Sequence, residues 1–237
     1  MSPLRRLPAS RYSIVEPVWS GDTVVIIAGG PSLTHEQVLL VQRAHAAGRV
    51  RCVVVNDAYL LAPFADVLYF ADSHWWKWHT EGIPKPSLGM TAEQVVAAFR
   101  AFAGVRCTIK NSGANVTDDN VHMLLNATIG NPRLGLSSEP TALVTGRHSG
   151  FQALNLSVLA GAVRVLLLGF DARASQNKTH WFGEHPRPTN PSIYAEIKKS
   201  FSMAEKLLKA AQVDVVNCSP GTAIDSFPKS TIAEALG

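Results

Sequence analysis

The side chains of this 237-residue chain that can move a proton or hold a phosphate gather in a few short stretches. The richest is residues 172–191, which carries Arg173, Lys178, His180, Glu184 and His185. Histidine has the ordinary pKa that suits a general base near neutrality, so His185, Glu184 or His180 can take a proton from an attacking hydroxyl. Arg173 and Lys178 bring positive charge to a departing phosphate without a metal. A second stretch, Gly29-Gly30-Pro31-Ser32, follows the apolar run Val24-Val25-Ile26-Ile27-Ala28. Strand, glycine turn and helix start make an anion site, because first-turn N–H groups lack partners within the helix. The turn is neither a Walker A loop, since no Gly-Lys-Ser/Thr follows, nor the dinucleotide fingerprint, since Pro31 and Leu33 stand where a third glycine is sought.

The remaining candidates stand at strand ends or at a helix start. Asn56 and Asp57 follow the run Arg51-Cys52-Val53-Val54-Val55, Asp72 follows residues 66–71, and Asp171 follows residues 164–170. An amide and a carboxylate at one strand end suit a base edge or ribose hydroxyls. Each also has a plainer reading: Asn56 bonded to nearby backbone, Asp171 capping a turn, and the two histidines as loop residues beside Trp181. Ser149-Gly150 opens an apolar helix, where N–H groups can steady a phosphate and a small side chain admits a ligand or a neighbouring backbone. Magnesium chemistry would draw on Asp57, Asp72 and Asp171. Asp72, His74 and His79 make a poor metal set, because the two histidines are five apart and miss the same-face i,i+4 spacing. Trp75, Trp76 and Trp78 cannot all face one side of a helix, so some pack on the core and others are left to wall a pocket or a partner surface.

These residues need a scaffold, and the apolar runs describe one. Strand-like runs at 24–28, 51–55, 66–71, 105–109, 164–171 and 213–217 alternate with helical spacing at 91–103, 149–162 and 192–211. Such alternation predicts an α/β fold, a Rossmann-like three-layer sandwich with a mainly parallel sheet and right-handed crossovers. Ligands then bind at the carboxyl ends of the strands. Residues 1–20 read as an N-terminal arm and 21–237 as a single nucleotide-binding-like domain, with an irregular lid around 111–146.

Composition sets outer bounds. With 46% hydrophobic and 17% charged residues the chain is globular with a sizeable core. A net charge of +4 favours acidic ligands such as nucleotides and is too mild to argue nucleic acid. Cys52, Cys107 and Cys218 match no zinc spacing and read as buried thiols. Arg5, Arg6 and Arg11 precede no apolar run of signal-peptide length, and the longest apolar runs are strand-sized. A cytoplasmic location without membrane contact is expected. No cofactor is implied, and a homo-oligomer stays open.

Several stretches together resemble one family. Gly29-Gly30-Pro31-Ser32-Leu33 is similar to the glycine-proline-serine turn of the Campylobacter-type bacterial sialyltransferases and, more broadly, of MptE-like pterin diphosphokinases. Asn56 stands where the sialyltransferases have a nucleotide-contacting asparagine. Ser149-Gly150, Gly161 and Leu167-Leu168-Gly169-Phe170-Asp171 follow the family's serine-glycine helix and glycine-hydrophobe-aspartate strand. His180-Trp181-Phe182-Gly183 and Asn217-Cys218-Ser219-Pro220 resemble two further motifs. The chain departs from the pattern in two places. No tyrosine occurs in Ala172-Arg173-Ala174-Ser175-Gln176-Asn177, where the family steadies the leaving phosphate, and Glu184 followed by His185 replaces its catalytic histidine. A looser likeness is to phage- or prophage-encoded proteins of unassigned, sometimes morphogenetic, role. The resemblance implies metal-independent glycosyl transfer from a nucleotide-sugar. Its alternatives are a non-catalytic nucleotide- or sugar-binding protein on the same fold and a magnesium-dependent diphosphokinase.

Overall fold

The computed structural model describes residues 1–110, 116, 118–127, 135–174, 178–183 and 192–237. The chain opens with β1 (Leu4–Arg6) and β2 (Ser13–Val15), an antiparallel ribbon. It continues through β3 (Thr23–Ile27), α1 (His35–Ala46), β4 (Arg51–Val55), β5 (Val67–Tyr69), α2 (Ser73–Lys77) and α3 (Ala92–Ala101). Next come β6 (Val105–Ile109), β7 (Val121–Asn126), β8 (Ala142–Leu143) and α4 (Ser149–Leu159). The last elements are β9 (Arg164–Leu168), α5 (Ser192–Ala210), β10 (Asp214–Asn217) and α6 (Ile232–Leu236).

Strands β3 to β10 pair in parallel in the order β10-β9-β3-β4-β5-β6-β7-β8. Val24, Val25, Ile26, Ile27, Leu166 and Leu167 are wholly buried, because both faces of the central strands are covered. That is why they read as continuous apolar runs rather than as alternation. Ile26, Val53 and Val67 pack with Phe151 and Leu154 of α4 and with Ile197 and Phe201 of α5. On the other face Val25, Val54 and Leu68 pack with Val41 of α1, Phe99 of α3 and Ile232 of α6. The result is the three-layer α/β sandwich expected from the sequence. Thr34 and Thr91 close capping boxes with Gln37 and Gln94, satisfying N–H groups at the starts of α1 and α3.

The strand order explains which helix goes where. From β3 the chain walks outward to β8, then returns to β9 on the other side of β3 and steps on to β10. Crossovers of one hand that run in opposite directions put their helices on opposite faces. The order therefore reverses between β3 and β9, and a crevice opens beyond the carboxyl ends of those two strands.

Two regions differ from the sequence reading. Within the stretch expected as a lid, residues 121–126 and 142–143 are the strands β7 and β8, the second of them at the sheet edge. Val121, Met123 and Leu124 are buried there, but the strands are too short and too widely spaced to stand out among Asn, Gly, Asp and Pro. The expected arm folds back as the β1–β2 ribbon against β7, where the Arg6 guanidinium donates to the carbonyls of Asp119 (2.6 Å) and Val121 (3.0 Å). Trp19 is fully buried. Trp75 goes into the core, stacked on Phe70 with ring centroids 4.9 Å apart. The three cysteines are free and buried. Among the described residues no helix is long and apolar enough to cross a membrane.

Candidate functional site

The crevice between β3 and β9 is a cleft of about 260 Å³. It gathers residues far apart in sequence: Gly29, Gly30 and Pro31 after β3, Asn56 and Asp57 after β4, Ser149 of α4, Asp171 and Arg173 after β9, and His180. Three sequence candidates lie elsewhere. The Asp72 carboxylate caps α2, accepting from the N–H groups of His74 and Trp75. The Ser32 side chain is engaged with Asp171, as described next. Gly150 is buried, and a Cβ there would meet Phe170 at 2.6 Å and His148 at 2.7 Å, so its small size serves ring packing rather than a ligand. Glu184 and His185 fall outside the described residues.

The glycine turn is already closed by a carboxylate of the protein. Asp171, 3% exposed, accepts from the Ser32 N–H at 3.2 Å and from the Ser32 hydroxyl at 2.9 Å. Burial pushes its carboxyl above the ordinary value, against the Ser32 hydrogen bonds and the Arg173 charge. The Gly30 N–H donates to the Gly169 carbonyl at 2.9 Å, and a Cβ on Gly30 would lie 1.9 Å from Asp171 Oδ2. Glycine is required at position 30 so that this carboxylate can approach. The plainer reading of Asp171, a turn cap, is the one the geometry gives.

Asn56 stands differently. It takes a left-handed backbone, with φ of 51°, at the end of β4. Its Oδ1 is buried in the cleft wall and makes no hydrogen bond, so the reading of Asn56 as a backbone cap fails. A buried acceptor without a donor costs about 1–3 kcal/mol. A ligand N–H or hydroxyl would remove that cost.

Beside it, Asp57 anchors a buried charge cluster. It is 3% exposed and pairs with Lys85 Nζ at 2.5 Å, while the Trp75 indole N–H donates to it at 3.2 Å. His79 Nε2 lies 3.2 Å from its Oδ1, and His79 Nδ1 lies 3.0 Å from the Trp75 carbonyl. Both ring nitrogens of His79 are thus engaged within the cluster. Burial alone would raise the Asp57 carboxyl, but the hydrogen bond and charge of His79 and the Lys85 ammonium outweigh it and hold it well below its ordinary range. The cleft floor therefore carries no uncompensated negative charge.

The roof comes from residues 178–183. The Trp181 N–H donates to the Gly29 carbonyl at 3.1 Å, and the 180–183 turn closes through His180 and Gly183. His180 stacks on Phe182 with centroids 5.0 Å apart, and its Nδ1 lies 2.9 Å from the Thr179 hydroxyl. Facing it, His148 precedes α4 and also lines the cleft. Burial, then the neighbouring His180, push the His148 imidazole down to about 4, so it is neutral at pH 7, and its buried Nδ1 has no hydrogen-bond partner. Tyr194 and Ile197 of α5 and Ile224 form a less polar wall. His148 and Tyr194 were missed because their signal is spatial: His148 precedes an apolar helix, Tyr194 opens an amphipathic one, and each looks like packing in sequence. Tyr194 brings a phenol to the cleft from α5 although residues 172–177 hold none.

Among the described residues no group of three His, Cys, Asp or Glu side chains is placed to hold a metal ion. Comparison with protein-family models, with curated proteins and with solved structures gives no match for this chain.

Proposed function

We propose that the cleft binds a nucleotide or nucleotide-sugar and supports metal-independent, sialyltransferase-like glycosyl transfer. The observation that carries the binding is the buried, unpartnered Asn56 Oδ1 at the crossing point of a parallel sheet. The nucleoside lies against Asn56 in this reading. Its phosphate goes to the α4 start and the Arg173 rim, because the Ser32 N–H of the glycine turn is taken by Asp171. His180 accepts the proton of the acceptor hydroxyl as the sugar–phosphate bond breaks. The new sugar–oxygen bond forms, the nucleotide leaves with the electron pair, and the imidazolium returns its proton to water. A diphosphokinase has less support here, since Asp57, Asp72 and Asp171 each answer to a different set of protein donors.

A thermal-shift and titration screen with CMP, CDP, UDP, ATP and their sugar conjugates, with and without magnesium, tests the reading. Asn56→Gly keeps the left-handed backbone and removes the amide. It is expected to weaken nucleotide binding about fivefold, or about 1 kcal/mol. Parent-like affinity in that variant would remove Asn56 from the site. His180→Ala is expected to lower transfer or donor hydrolysis about 10²-fold while leaving nucleotide affinity nearly unchanged. Tight binding with no turnover by the parent across the donor panel would make the protein a binding module instead.

A further inference from the structure

Lys85 is a costly residue to bury, and the mechanism above does not use it. It is 6% exposed and belongs to a tight hairpin in which the Lys85 N–H donates to the Met90 carbonyl at 2.9 Å and the Met90 N–H returns the bond at 3.1 Å. Its ammonium pairs with Asp57 on one side and lies 5.1 Å from the centre of the Phe182 ring on the other. Phe182, 5% exposed, is the ring on which His180 stacks, the two planes 18° apart. The hairpin meets the same turn again at Ser87, whose Cβ lies 3.9 Å from the position a Cβ would take on Gly183.

We propose that Lys85 is a positioning residue for His180: held by Asp57, its ammonium docks the Phe182 ring that carries the imidazole over Gly29. A cation against an aromatic face is worth more when both are desolvated, as here. The ring is then fixed from below by charge, while the Trp181 N–H fixes the backbone from the side. A salt bridge to Asp57 alone would not need the lysine to reach a second loop. The role rests on the reading of His180 as a cleft residue with a task at the substrate.

The test is the ring-current shift of the His180 imidazole protons in the free protein by NMR, with circular dichroism to confirm folding. Lys85→Met/Asp57→Asn removes both charges, and Lys85→Gln keeps a donor for Asp57 while removing the cation. Phe182→Leu defines the signal of an imidazole without its stacking partner. Folded Lys85 variants are expected to lose most of the shift and approach the Phe182→Leu signal. Where transfer is measurable, kcat falls about 10²-fold with a far smaller change in KM, as for a misplaced catalytic group. A parent-like imidazole signal in either folded Lys85 variant overturns the proposal. Because the NMR measurement needs no ligand, a parent that binds no nucleotide defeats the functional reading without touching this result.

Discussion

Gly30→Val is expected to destabilise the protein by about 3 kcal/mol, the upper end of what forced overpacking costs. The first added carbon would stand 1.9 Å from Asp171 Oδ2 and 2.5 Å from the Gly169 carbonyl oxygen. Neither can step aside freely. Asp171 is held by two hydrogen bonds from Ser32, and the Gly169 carbonyl accepts the Gly30 N–H itself. Urea unfolding of Gly30→Ala, Asp171→Ala and the double variant separates the two contacts. Removing the carboxylate is expected to recover part of the Gly30→Ala loss, since residues in direct contact couple. Simple additivity, or a Gly30→Val protein as stable as the parent, would refute the close approach of Asp171. Nucleotide binding should fall with the turn, because Gly29, Gly30 and Pro31 themselves line the cleft.

The same turn shows what a sequence can and cannot disclose. Its existence was plain, because five apolar residues before two glycines have few other ways to fold. The partner of the turn was not, since Asp171 lies 139 residues from Ser32 and no local spacing records that contact. Strands β3, β4 and β9 were legible for a physical reason: buried on both faces, they are apolar at every position after the first. Strands β7 and β8 escape notice because His122 and Asn126 break the apolar run of β7 and the two-residue edge strand β8 leaves no period. The candidate site divides in the same way. Polar residues directly after an apolar strand, such as Asn56 and Asp171, were identifiable from their place at strand ends. Lys85, a hairpin residue, was not, and His79, in the helical turn after α2, was weighed only as a poor metal ligand; the meaning of both appears only when Asp57 is brought between them. The gathering of His148 with His180 depends on α4 returning the chain across the sheet, a choice of strand order that hydrophobic periodicity does not encode.

Asp57→Ala is expected to have the largest effect of any single change, about 3–5 kcal/mol, the cost of leaving a buried charge without its partner. Three groups lose their acceptor at once, the Lys85 ammonium, the His79 ring and the Trp75 indole N–H, and none is more than 6% exposed. The sign of the pH dependence follows from the depressed carboxyl. A carboxyl that ionises more readily folded than unfolded contributes its full stability above the unfolded value of about 3.9, and loses it as pH falls towards the folded value. The gap between parent and Asp57→Ala should therefore narrow below about pH 4. Lys85→Met/Asp57→Asn is expected to recover most of the loss, because replacing both members of a buried pair is often neutral while removing one is not. Urea unfolding at a series of pH values measures all three. An Asp57→Ala protein within about 1 kcal/mol of the parent, the scale of an exposed ion pair, would mean that water reaches the cluster. The cleft floor would then be wet, and Lys85 would lose the desolvated setting that lets its charge hold the Phe182 ring.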